Sequence, residues 1–162
     1  FLLKVDVPGV DREDLNEILN RTTGDQHPHA RRRLDGDFLQ SAQRLMREAV
    51  VAPHVQDYAV RLILATHPDH PTFPGSLARY VTLGASPRGA QALVSTARVL
   101  AVADGRYAVS VDDLHRVAPA ALRHRIGLSF EAGTDGVTGT TIVRELLERV
   151  PRAASGTPGG DA

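Results

Sequence analysis

The residues best placed to do chemistry are Ser86, Pro87 and Arg88, in the stretch Gly84-Ala85-Ser86-Pro87-Arg88 that opens an alanine-rich helix. Serine suits the N-cap, where its hydroxyl accepts a bond from a backbone N–H that the helix leaves unpaired. Proline suits the first helical position, because no N–H is needed there. Arg88 then stands in the first turn, where the positive end of the helix dipole and free N–H groups already favour an anion. A guanidinium added there makes a phosphate-facing position, although a capped surface helix with a solvated arginine fits the same five residues. Arg123 and Arg125 flank His124 at a second helix end. Their charges complement the carbonyl end of that helix, and a nucleotide or inter-subunit contact is the sharper alternative. His67 and His70, like His27 and His29, have spacings that metal ligands use, but no further ligand stands at a recognisable spacing, so no metal site is expected.

Several helices must position these groups. Asp11 caps a helix carrying Leu15, Ile18 and Leu19, with Val10 and Leu15 as a hydrophobic staple, and it ends near residues 21–24. Residues 25–34, with Pro28 and the run Arg31-Arg32-Arg33, read as a loop. Asp37 is expected to cap a second helix with Leu39, Ala42, Leu45, Met46 and Ala49 at a 3.6-residue period. A third runs from Pro53 to about Thr66 and buries Val55, Tyr58, Ala59, Leu62 and Ile63. A proline-rich loop over residues 67–75 comes next, with a short helical turn near residues 77–81. The helix opened by Ser86 extends to about Ala103, with Ala90, Leu93, Val94, Ala97, Leu100 and Ala101 on one face, and Asp104-Gly105 ends it. Ser110-Val111-Asp112-Asp113 resembles a capping box that begins a helix with Leu114, Val117 and Ala118, and Pro119 restarts a turn carrying Leu122. A short strand over residues 126–130, a glycine-containing loop and a last helix over residues 141–150 complete the body. Phe1-Leu2-Leu3-Lys4-Val5-Asp6-Val7 reads as a strand with no partner after it, and residues 152–162 as a disordered tail.

The fold class expected is therefore mainly α: about five or six helices over residues 10–151, preceded by a strand segment at residues 1–9. With 19 basic and 19 acidic residues, no net field pulls the chain towards nucleic acid or anionic lipid. The absence of cysteine excludes disulfides and thiolate chemistry and fits a reducing cytoplasm. No apolar run approaches the roughly 20 residues of a membrane span. Arg31-Arg32-Arg33, Arg44 and Arg47 motivate a rival reading, a non-catalytic helical adaptor or nucleic-acid-binding module; the zero net charge and the lack of a basic helix face oppose nucleic acid.

In order, these segments resemble the C-terminal part of a MoxR-type AAA+ ATPase, from Phe1 to about Arg152. Phe1-Leu2-Leu3-Lys4 resembles the end of the ATPase core. Tyr58 with Leu62-Ile63-Leu64-Ala65-Thr66 resembles the lid helix Tyr-x3-Leu-x2-Ala-Thr-Arg, with His67 in place of its arginine. Gly84 to Arg88 resembles the sensor 2 segment. Ala101-x2-Asp104-Gly105-Arg106, Val109-x2-Asp112-Asp113 and Leu122-Arg123-His124-Arg125-Ile126 resemble the family's later lid helices. The resemblance implies a strand from a truncated α/β core joined to a helical lid, with ATP and Mg2+ bound mainly by that core. Arg88 is then sensor 2, with Ser86, Pro87 and Arg125 on the nucleotide side of the lid. It further implies a hexameric ring, a chaperone-like role on protein clients, and von Willebrand factor A-type partners. The chain contains no Gly-x4-Gly-Lys-Ser/Thr and no strand ending in Asp-Glu, so it is expected to hydrolyse no ATP unaided.

Overall fold

A computed structural model describes residues 1–24 and 29–153. Pro28, His27 and nearly all of the expected tail lie outside the described residues. The rest forms seven α-helices, a 3-10 turn and four very short strands.

Local chemistry explains where most helices begin. α1 (Arg12–Thr22) starts at Asp11, whose carboxylate accepts from the Asp14 N–H at 2.8 Å. α2 (Gly36–Glu48) is capped by Asp35, which accepts from the Phe38 N–H at 2.9 Å. Asp37, expected as the cap, lies in the first turn, where its charge still complements the helix dipole. α3 (Pro53–Leu64) begins on a proline and buries Val55, Tyr58, Ala59, Leu62 and Ile63, the expected five. The 3-10 turn Gly75–Tyr80 leads into β2 (Val81–Leu83) and then α4 (Pro87–Ala103). Gly105 closes α4 with φ of 74°, a left-handed conformation that glycine adopts without strain.

α5 (Val111–Leu122) opens on a complete capping box. The Asp113 N–H donates to the Ser110 hydroxyl, and the Asp113 carboxylate accepts from the Ser110 N–H. The helix runs unbroken through Pro119, where a new turn was expected. Proline's missing N–H falls close to the C-terminal end, and packing on both sides outweighs one lost bond. Ser129 caps the short α6 (Phe130–Thr134), which the sequence leaves as loop, and Thr138 caps α7 (Gly139–Arg149), which starts two residues before its expected position at 141.

α4 is the spine of the molecule. It packs most extensively against α5 and also against α3 and α2, while α7 lies on the other side of α5. The side of α4 that turns inward carries Gly89, Ala92, Leu93, Thr96, Ala97 and Ala101. Small residues predominate there because they let the α5 backbone come close, and so the buried stripe is rotated from the expected one, with Ala90, Val94 and Leu100 only partly covered. Leu62, Leu93, Leu114, Leu122, Ile142 and Leu146 are fully buried in the resulting core. At about 1.5–3 kcal/mol for each large apolar side chain, this interior is the main source of stability.

β1 (Val50–Val51) pairs in parallel with β3 (Ala108–Val109), and β2 pairs antiparallel with β4 (Gly127–Leu128), the short remnant of the strand expected over 126–130. Residues 1–10 form no strand. No neighbouring strand among the described residues pairs with them; instead the Lys4 N–H donates to the Ala120 carbonyl at 2.9 Å, at the end of α5. The apolar stripe of α1, Leu15, Ile18 and Leu19, is exposed, as are Leu39 and Leu45 on α2.

Candidate functional site

The segment that leads into α4 is fixed from below by the end of α3. Thr66 is wholly buried; its hydroxyl donates to the Ile63 carbonyl at 2.6 Å and accepts from the Ala85 N–H at 2.8 Å. One side chain thus satisfies two buried backbone groups that belong to different elements. The residues on either side of this bond leave no slack. A methyl group at Gly84 would lie 2.6 Å from the His67 ring, so only glycine lets the loop pass beneath that imidazole. A methyl at Gly89 would meet Ala85 at 3.2 Å, Ile63 at 3.3 Å and Leu122 at 3.4 Å. The first turn of α4 is therefore wedged between α3 and the end of α5.

On this platform Ser86, Pro87 and Arg88 face solvent. Ser86 occupies the N-cap position and Pro87 the first turn, as expected, but the Ser86 hydroxyl makes no capping bond. Its backbone carbonyl accepts from the Gly89 N–H at 2.7 Å instead. The end of α4 thus keeps its positive character undiminished by a side-chain cap. Arg88 forms no ion pair among the described residues, in contrast to Arg61, Arg79, Arg106, Arg116 and Arg123. An exposed guanidinium without an ion pair, at an uncapped helix N-terminus, presents a fork of N–H donors suited to phosphate oxygens.

Arg123 and Arg125 lie just past Leu122 at the adjoining end of α5, but the terminal nitrogens of both guanidinium groups are engaged within the chain. Arg123 binds the Asp6 carboxylate and the Lys4 carbonyl. Arg125 donates to the Leu2 carbonyl at 3.0 Å, to the carbonyl of Phe1, and to that of Ala121 in the last turn of α5. The contact with Ala121 fits the helix-end reading of this pair. Burial first, and the neighbouring Arg125 charge second, lower the pKa of His124 below the usual histidine value. The start of α7 closes on the same region: a methyl at Gly139 would overlap the Arg123 carbonyl oxygen.

His67 and His70 serve locally. His67 covers Gly84, and the His70 ring accepts from the Thr72 N–H at 3.2 Å. Among the described residues no three His, Cys, Asp or Glu side chains converge as a metal-binding group. Two further polar contacts hold the scaffold rather than the site. The Tyr58 hydroxyl lies 2.7 Å from His115 Nε2, with the rings stacked; burial raises the tyrosine pKa and lowers that of the histidine. Asp113 is buried beneath the α4–α5 turn. Arg106 grips it with two bonds of 2.7 and 2.8 Å, and Ser110 adds its N–H at 2.8 Å and its hydroxyl at 2.9 Å. The Arg106 guanidinium is the main reason that the carboxyl titrates at about 2. The sequence shows the Ser110–Asp113 box, but the Arg106 bond and the Thr66 bridge depend on tertiary proximity that spacing does not reveal.

The comparisons with known proteins agree with this architecture. Residues 77–146 match the AAA lid domain family. The chain is 31% identical over 150 residues to the chaperone MoxR1 of Mycobacterium tuberculosis, covering 93% of this chain and 40% of that protein. It is 33% identical over 108 residues to the uncharacterized protein YeaC of Bacillus subtilis, covering 67% of this chain and 31% of the other. The fold matches the crystal structure of a candidate ATPase from Cytophaga hutchinsonii with a TM-score of 0.83 and 24% identity, over 93% of this chain and 46% of that one. The chain thus spans less than half the length of the curated relatives it matches. No helix among the described residues is long and apolar enough to cross a membrane. On this fold and these relationships, the chain belongs to the MoxR family of AAA+ proteins, and residues 77–146 are its AAA lid domain.

Proposed function

We propose that this lid binds the phosphate end of ATP through Arg88, acting as sensor 2, in an ATPase whose core supplies the P-loop and the Mg2+ ligands. The observation that carries the reading is the setting of Arg88: exposed, unpaired by any acidic group among the described residues, and mounted on an uncapped helix end that Thr66, Ile63 and Leu122 hold rigidly. Such a guanidinium binds γ-phosphate oxygens in the ground state and holds the lid against the core. Loss of the phosphate removes the bond and frees the lid. As charge spreads over the transferring phosphoryl group, the same fixed donors stabilise it, at no cost of reorganisation. Ser86 and Pro87 contribute shape rather than bonds, keeping the approach to Arg88 open.

In this reading the lid works within a homo-oligomeric, hexameric ring that remodels or matures protein clients in the cytoplasm, beside von Willebrand factor A-type partners. The chaperone designation of the M. tuberculosis relative supports the client-directed part. The test is Arg88→Ala in the full-length protein that joins this lid to its core. Nucleotide binding stays measurable, while hydrolysis falls by about a hundredfold or more, the scale of losing one oriented donor to developing charge. Turnover at the wild-type rate refutes the sensor role.

A further inference from the structure

We infer that Thr66 is a positioning residue for Arg88: its hydroxyl is the latch between the end of α3 and the entry to α4, and it sets where the arginine stands relative to phosphate. The inference rests on the sensor reading of Arg88 and adds to it the element that transmits position. The geometry is specific. Thr66 is wholly buried, it spends its hydroxyl proton on the Ile63 carbonyl at 2.6 Å, and its oxygen then accepts the Ala85 N–H at 2.8 Å, three residues before Arg88. No other side chain among the described residues is bonded to the Ala85 N–H, so loss of the hydroxyl leaves a buried donor unsatisfied. The packing around the latch blocks compensation. His67 closes the loop over Gly84, and the wedge of Gly89 against Ile63 and Leu122 prevents α4 from sliding along α3 to find a new partner. The segment without the hydroxyl is left with a rotation of the Ala85 peptide towards water, and that rotation moves the first turn of α4 and its guanidinium together.

A valine at position 66 keeps the volume and branching of threonine and removes only the hydroxyl, whereas serine keeps the hydroxyl. In the full-length protein, Thr66→Val is expected to accelerate hydrogen exchange at the Ala85 amide and to lower kcat about tenfold, the effect of one unmade buried hydrogen bond on the population of the latched state. KM changes less than kcat. Thr66→Ser stays within about twofold of wild type in both readouts, which a loss of packing would not allow. The deciding measurement is the pair with Arg88→Ala: once the arginine is gone, Thr66→Val has nothing to misplace and its effect on kcat shrinks to within about twofold. An undiminished Thr66→Val effect in the Arg88→Ala background overturns the inference, as does wild-type kcat in Thr66→Val alone while Arg88→Ala is impaired. If Arg88→Ala itself turns over normally, the sensor reading fails first and the positioning role falls with it.

Discussion

Replacement of Asp113 by asparagine tests whether the α4–α5 turn is held by charge or only by packing. The carboxyl is buried, and its pKa falls from an ordinary 3.8 to about 2, chiefly through the paired bonds from Arg106. A pKa lowered by folding means that the folded state prefers the ionised form, so the stabilisation is fully present above the unfolded pKa near 4 and disappears as pH drops through the folded value. The difference corresponds to about 2 kcal/mol at pH 7, at roughly 1.4 kcal/mol per unit. About half of it survives at pH 3 and little at pH 2. The assay is urea unfolding of wild type and Asp113→Asn at pH 7, 5, 3 and 2, monitored by circular dichroism. The gap between the two proteins is expected to be constant from pH 7 to 5 and to narrow steadily below pH 4. A gap that is as wide at pH 2 as at pH 7 refutes the argument, because an uncharged asparagine in a damaged cap would destabilise equally at every pH.

The same geometry sets three other outcomes. Ser86→Ala leaves the unfolding midpoint nearly unchanged, because the hydroxyl makes no capping bond, whereas Ser110→Ala removes a working capping box and costs about 1–2 kcal/mol in the same denaturant titration. Gly139→Ala forces a methyl into the Arg123 carbonyl and separates the start of α7 from the end of α5; a fall in Tm of several degrees is expected, and an unchanged Tm contradicts the packing described. Arg88→Ala leaves that Tm within a degree or two while abolishing most ATP turnover in the full-length protein, since an exposed arginine without an ion pair contributes little to folding.

The parts of this fold that the sequence reveals are those governed by near neighbours. The buried face of α3 comes from a clean 3.6-residue period, the Ser110–Asp113 box from a spacing of three, and the end of α4 from Asp104-Gly105. The expectations that failed depend on groups lying across the molecule. Residues 1–7 have strand composition, yet Arg123, Arg125 and Ala120 hold their backbone at a helix end. β1 to β4 are two or three residues each, too short for any alternation to register. Asp35 and Asp37 are both good caps, and only the path of the preceding chain chooses between them. At the candidate site, Ser86, Pro87 and Arg88 are visible as a helix opening; Thr66 is visible only as one letter of a lid-helix pattern, because its partner Ala85 lies beyond an intervening proline-rich loop.

The parallel pairing of β1 with β3 has a consequence for the order in which the molecule assembles. Val50 and Val51 precede α3, whereas their partners Ala108 and Val109 come after α4, so this clasp closes only after both helices have been made. The second clasp, Val81 and Leu83 with Leu128 and Gly127, waits for α5 as well. Closing such long loops costs entropy before any contact repays it. During synthesis, α3, α4 and the Thr66 bond between them come before α5, and the first turn of α4 gains its packing against Leu122 only when α5 follows. The platform for Arg88 is complete only once α5 is present, and a chain interrupted before α5 would present the arginine without the Leu122 side of the wedge that holds Gly89.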